Sequence, residues 1–255
     1  MSRRQPPQRD VAPVAARYRV QYRKAGRMRF TSARDFQRAL ERAIRRGGIP
    51  IAFSAGFSPH PRISYRNSVP TGVSSEAEYL ELGLIREVDP QLLAEALDAG
   101  LPPGFEVVAV LPAATADFGE RLQASRWQIV LPDVSIGAAQ EAVVALLGRS
   151  EAPVERVTKR GPTSVDVRAA VVSADVRPGE QSVADGSPCA ILQVVVRHVT
   201  PSVRPKDLLT ALERVAGLPQ SQAPRICRLA QGPLSADGSA VGDPLDPDRR
   251  AASRP

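Results

Sequence analysis

The chain has 255 residues, 43% of them hydrophobic, which suits one or two domains with buried cores and excludes a wholly disordered chain. Its formal net charge of +7 is unevenly spread: residues 1–66 hold 16 basic and 3 acidic side chains, a net of +13, and the remainder carries −6. No run of 18 apolar residues occurs and residues 1–10 form no secretory signal, so no membrane span is expected and the expected location is the cytosol.

Residues 1–15, with Pro6, Pro7 and Pro13, have no periodicity and are expected to be a disordered tail. Residues 17–23 (RYRVQYR) alternate, with Tyr18, Val20 and Tyr22 on one face and Arg17, Arg19, Gln21 and Arg23 on the other, the pattern of a half-buried strand. Residues 33–46 read as a helix, with Ser32 as N-cap, Asp35 three positions later, an apolar stripe of Phe36, Leu40, Ala43 and Ile44, and a stop at Gly47 and Gly48. A stretch rich in loops, 54–72, precedes a strand at 79–85, a helix at 90–99 opened by Pro90 and a strand at 105–111. The second half repeats this order, with strands at 125–131, 153–158, 164–172, 190–197 and 225–230 and helices at 135–147 and 205–215. Residues 231–255, rich in Gly, Pro, Ser, Asp and Arg, read as a second disordered tail.

This order predicts an α+β protein of two ferredoxin-like (βαββαβ) domains in tandem, 16–112 and 125–230, between disordered tails.

The helix at 33–46 carries the clearest functional signal. Arg34, Arg38 and Arg42 recur every four residues, and Arg45 and Arg46 extend the row opposite the apolar stripe. A solvated face would look like this, and so would a surface that meets phosphates. Arg17, Arg19, Arg23, Lys24, Arg27 and Arg29 precede it, Arg62 and Arg66 follow, and Tyr18, Tyr22, Phe57 and Tyr65 are interleaved. That mixture suits RNA, with arginines on phosphates and rings on unpaired bases. The candidate nucleic-acid-binding residues are therefore Arg29, Arg34, Arg38, Arg42, Arg45, Phe57, His60, Arg62 and Tyr65.

His60 lies between Pro59 and Pro61, which hold it in extended backbone and present its ring rigidly. Beside Arg62 and Ser64 it could serve as general acid–base in phosphodiester cleavage, or it could bind a backbone carbonyl and staple the loop. It is the one candidate catalytic residue. No complete catalytic constellation accompanies it, and no phosphate-binding loop, dinucleotide fingerprint or nucleophile elbow occurs, so an enzyme is the less expected reading. His198 is expected to be structural. Glu76, Glu78 and Glu81 read as exposed charge at a strand edge, and Asp166 with Arg168 as an ion pair on one strand face. Cys189 and Cys227 are too few for a four-thiolate zinc or iron–sulfur site and read as small buried hydrophobes; no metal and no cofactor is expected.

Residues 26–35 (GRMRFTSARD), continued through Arg38, Arg42, Arg45, Arg46 and Pro50, then 54–61 (SAGFSPHP) and 69–76 (VPTGVSSE), resemble the radical SAM-associated (radical SAM-linked) protein family. That family is an uncharacterised domain found alone or fused behind a cobalamin-binding radical SAM enzyme. The resemblance is specific over about residues 17–111 and weaker over 125–230. The family pattern R-F-x-S-H-x-D is kept at Arg29, Phe30, Ser32 and Asp35, but Ala33 stands where the histidine would be and Arg34 where an apolar residue is usual. The resemblance implies a radical SAM enzyme as partner, and the missing histidine shifts the balance from chemistry toward binding. The resulting expectation is a cytosolic accessory protein that binds structured RNA, tRNA or rRNA. The alternatives are a metal-independent endoribonuclease using His60, and a module that docks on the radical SAM enzyme without RNA.

Overall fold

The alternation over residues 17–23 becomes β1 (Ala16–Lys24), the strand around which the first half of the chain is built. In the computed structural model, which describes residues 11–158, 161–180, 186–218 and 222–253, Tyr18, Val20 and Tyr22 are buried along one face of this strand. β1 pairs antiparallel with β3 (Ser74–Leu84) on one side and β4 (Phe105–Pro112) on the other. A short strand, β2 (Ile63–Arg66), pairs antiparallel with β3.

Two helices, α1 (Ala33–Arg46) and α2 (Pro90–Gly100), cover the Tyr18 face. Ser32 caps α1, its Oγ accepting the Asp35 N–H at 3.2 Å. At the far end Gly48 takes a left-handed φ of +60°, Ile49 N–H donates to Ile44 O and Gly48 N–H to Arg45 O, so the helix closes in a Schellman turn with Ile49 and Ile44 both in the core. The apolar stripe expected of α1 is the buried one, joined by Ala39. Phe36 stacks on Tyr22 at 4.5 Å and meets Phe105 at 4.8 Å. Small residues let the two helices cross closely: a Cβ on Gly100 would lie 2.7 Å from Ala43 Cβ.

The opposite sheet face is covered too, which corrects two expectations. Residues 231–255 are not a structureless tail. They continue a strand to Gly232, make a bridge between Leu234 and Val241, and end in a helix, α6 (Asp246–Ala252), with residues 254–255 outside the described ones. Asp248 of α6 is fully buried and forms a salt bridge with Arg19, itself only 3% exposed. Arg19 also donates from Nε to Glu81 Oε2 at 3.1 Å, and its guanidinium lies 4.6 Å from the Phe118 ring centre. The arginine face of β1 is therefore interior at Arg19, and Glu81 is an internal counter-charge. Glu78 is buried as well, accepting the Val69 N–H at 3.2 Å, because β3 is flanked on both sides and is no edge strand. The expected tail 1–15 falls outside the described residues up to residue 10. Beyond it, Ala15 N–H already donates to Leu84 O at 2.8 Å.

In the second half, β5 (Ala124–Pro132) lies between β10 (Arg225–Gly232) and β9 (Cys189–Arg197), and β8 (Val171–Pro178) flanks β9, all antiparallel. Helices α3 (Ile136–Leu147) and α5 (Pro205–Ala216) pack together over α3's contacts with β8 and β9. Between α3 and β8 stands a separate hairpin, β6 (Pro153–Thr158) and β7 (Gly161–Asp166), followed by one helical turn, α4 (Val167–Ala170). The single strand expected at 164–172 is thus two strands with a turn between them. Asp166 does not pair with Arg168: it caps α4 by accepting the Arg168 N–H at 3.0 Å, while Arg168 Nε donates to Leu147 O at 3.1 Å. The chain divides into two compact units, Met1–Gly119 with Leu245–Pro255, and Glu120–Pro244. The polypeptide is a mixed α+β protein, and among its described residues no helix is long and apolar enough to cross a membrane.

Candidate functional site

At about 100° per residue, Arg34, Arg38, Arg42 and Arg45 fall within roughly an 80° arc of α1, opposite Phe36, Leu40 and Ala43. All four are exposed. Arg38 has Asp35 at 3.7 Å, in an exposed i,i+3 pair. Among the described residues no carboxylate lies within salt-bridge distance of Arg34, Arg42, Arg45 or Arg46. Glu41 borders the arc but is half-buried, and its charge acts on Tyr65 of β2.

Several basic residues elsewhere in the first unit are tied to carboxylates or carbonyls, while Arg17, Arg27, Arg62 and Arg86 are exposed. Arg19 has Glu81 and Asp248, Arg66 donates to the other Glu81 oxygen at 2.8 Å, and Arg23 reaches Glu76 at 2.5 Å and Glu106 at 3.1 Å. Lys24 is buried, its Nζ donating to Thr31 O at 2.9 Å. Burial alone would raise the Glu81 carboxyl, but the hydrogen bonds from Arg66 and Arg19 outweigh it and hold the group below the usual range. The positive charge read from the sequence thus separates into a set paired with carboxylates or carbonyls and an open set, of which Arg34, Arg42 and Arg45 share one face of α1.

Of the remaining candidates, Arg29 precedes α1 in the chain, and the loop with Phe57, His60 and Arg62 follows it. Arg29 lies in the 3-10 turn Gly26–Phe30 just before Ser32, with its guanidinium 4.6 Å from the Phe30 ring centre. Phe30 is 60% exposed. Beyond the other end, a bridge between Phe53 and Pro61 closes the loop that carries Phe57, which is 59% exposed. Ser54 N–H donates to His60 O at 2.8 Å and His60 N–H to Ser54 Oγ at 2.9 Å, so His60 staples the loop through its backbone. Its ring is exposed and meets no hydrogen-bonding side chain among the described residues, and Arg62 is exposed beside it. Gly56, at φ +124°, makes the turn that an L side chain would strain.

Tyr65 does not join that loop. It sits on β2, half-buried, edge-on to Phe36 at 6.2 Å. Its Oη is buried with no hydrogen-bond partner among the described residues, and burial, reinforced by the Glu41 charge, pushes the phenol well up. Its ring packs, half-buried, against the core of the first unit. Phe30 stands in the kept family pattern but outside the set of binding candidates; its other signal is a large apolar residue outside the stripe of α1 and outside the alternation of β1.

The second unit holds His198, whose Nδ1–H donates to Leu122 O at 2.6 Å and whose Nε2 accepts from Ser125 Oγ at 2.8 Å. Burial, helped by the charge of Arg228 and only partly opposed by the Leu122 bond, lowers its pKa and keeps the ring neutral. Among the described residues no three His, Cys, Asp or Glu side chains group as metal ligands.

A family model described as "Uncharacterized protein conserved in bacteria (DUF2344)" matches residues 17–205. None of the curated proteins matches the chain. Among solved structures, one from a Cbf5-Nop10-Gar1 complex is similar at 8% identity and a TM-score of 0.45, over 84% of this chain and 48% of that one. The chain thus spans about half of that protein's length. Ferric DtpA from Streptomyces lividans is similar at 13% identity and a TM-score of 0.24, over 95% and 94% of the two chains. A DyP-type peroxidase from Streptomyces coelicolor gives 10% and 0.26, over 93% and 94%. At these values the solved structures bear on neither activity nor ligand.

Proposed function

The chain belongs to this family of uncharacterized proteins conserved in bacteria, and from that premise we propose that it is a cytosolic accessory protein that binds structured RNA, tRNA or rRNA, alongside a radical SAM enzyme. The RNA reading rests on one observation: among the described residues Arg34, Arg42 and Arg45 stand exposed on one face of α1 with no carboxylate in salt-bridge distance, while Arg19, Arg23 and Arg66 are each tied to at least one. The position of Arg34 adds support. It occupies the first turn of α1, where a cation opposes the helix dipole, so helix stability does not account for it.

The partner reading rests on the resemblance carried by residues 26–35, 54–61 and 69–76. The strand orders β4-β1-β3-β2 and β10-β5-β9-β8, all antiparallel, support reading each unit as ferredoxin-like, the second with the β6–β7 hairpin inserted. In that reading the sheet face of the first unit is closed by α6, and α1 supplies the binding surface.

Filter binding of the full chain to total tRNA and to rRNA fragments, at two salt concentrations, tests the RNA reading. Binding that weakens steeply with salt is the expected result, since displaced counterions oppose phosphate contacts. No binding, or affinity indifferent to salt, would sink it. Co-purification with a radical SAM enzyme after nuclease treatment tests the partnership separately; its absence in a native pulldown counts against it.

A further inference from the structure

We infer, on the basis of the RNA reading above, that the ligand of α1 is an unpaired stretch of strand: its phosphates follow the arginine ridge and its bases stack on Phe30 and Phe57 at the two ends. Arg34, Arg38 and Arg42 recur every four residues, a rise of about 6 Å per step along the helix. That step is comparable with the separation of neighbouring phosphates in an extended single strand, so each arginine can meet one phosphate in turn. Duplex phosphates follow a curved groove edge and leave a straight 14-residue helix after a contact or two.

The aromatic residues make the same choice. Strand register attaches the segments that carry them at opposite ends of the sheet. Phe30 follows the end where Lys24 pairs with Ser75, and Phe57 sits in the loop that leaves the end where Ile51 bridges to Leu84. The α1 ridge, about 21 Å long, runs between them. Both rings are more than half exposed, an unfavourable placement for a core residue and a favourable one for a stacking platform. Paired bases already stack on their neighbours and offer no free face. Only unpaired bases can be splayed onto a protein ring. Arg29, over the Phe30 ring, adds a second planar cation to that end.

The test is fluorescence anisotropy of the full chain with a labelled 12-nucleotide RNA, alone and annealed to its complement. The unpaired strand is expected to bind at least about tenfold tighter. Phe30→Ala and Phe57→Ala should each weaken it by about 5- to 150-fold, the range of one lost base stack, with little change for the duplex. Both rings are exposed, and circular dichroism of the variants should match the parent. Equal or tighter duplex binding, or full affinity of both Phe variants while Arg34→Glu weakens binding, overturns the unpaired-strand inference and leaves the RNA reading standing. Failure of either RNA to bind, together with failure of total tRNA on filters, overturns both.

Discussion

Arg19 and Asp248, 229 residues apart, form a salt bridge inside the first unit with both side chains almost wholly removed from water. Around it Asp248 accepts Thr115 N–H at 3.1 Å and Thr115 Oγ1–H at 2.6 Å, while Glu81 bridges Arg19 and Arg66. Two guanidinium and two carboxylate groups balance. Such a cluster is weak evidence of net stabilisation, but removing one member strands a buried charge.

Asp248→Ala should therefore cost about 3–5 kcal/mol. Arg250→Ala, two positions on and exposed, should stay within about 0.5 kcal/mol. Urea unfolding can read this locally, because all four tyrosines lie in the first unit and the single tryptophan, Trp127, lies in the second. A loss seen equally in both variants, or in neither, would remove the special role given to Asp248.

Gly100 sets two effects against each other. Helix propensity favours Ala over Gly by up to about 1 kcal/mol, yet the new Cβ would stand 2.8 Å from Ala43 Cα, a backbone atom that cannot swing aside. Packing should win, and Gly100→Ala should lower the urea midpoint by the equivalent of about 1–3 kcal/mol. A stabilised variant would mean that α1 and α2 can separate without cost.

The ridge arginines should split stability from binding. Arg34→Glu puts an acid in the first turn of α1 and should raise stability by about 0.3–1 kcal/mol, whereas Arg45→Glu in the last turn should lower it by a similar amount. Both should weaken RNA binding and flatten its salt dependence by more than the ~0.7 slope units of one single-strand phosphate contact. Thermal melts and anisotropy on the same samples check the two signs together; parallel changes in stability and affinity would refute the separation.

Acid should act on the two units in different ranges. The lowered pKa of His198 means that the unfolded chain takes a proton near pH 6.5 that the folded unit refuses, so the second unit loses stability as pH falls below that value. Glu81, also lowered, contributes stability above its unfolded value near 4.3 that is lost as pH falls through its folded pKa. Tryptophan-monitored urea midpoints should decline between pH 7.5 and 5.5 and lose that decline in His198→Gln. Tyrosine-monitored midpoints should respond below about pH 4.5, less so in Glu81→Gln. An unchanged tryptophan midpoint over the first interval would contradict the neutral, half-buried ring.

What could be read from the sequence was what neighbouring residues encode. Ser32 with Asp35, the apolar stripe of Phe36, Leu40, Ala43 and Ile44, and Gly47 with Gly48 specify α1 within one segment, and its arginines follow from the same spacing. The roles of Arg19 and Tyr65 could not be read, because each is set by distant partners: Asp248 for one, Phe36 under a packed helix for the other. The helix α6 was missed for a related reason. Its place in the fold depends on one carboxylate meeting Arg19, and its composition is that of a loop. The break at Val167–Ala170 escaped because an Asp cap on a single turn leaves the strand-like alternation of residues 164–172 almost intact.

The first unit takes residues from both sides of the second, since Leu245–Pro255 returns to it after Pro244. On the ribosome, then, Arg19 and Glu81 are made long before the acid that completes their charge balance. The first sheet must wait, one face open, through the synthesis of the whole second unit. Whatever chaperone or RNA meets the emerging chain would encounter the Arg19 face uncovered, a surface that the finished protein never shows.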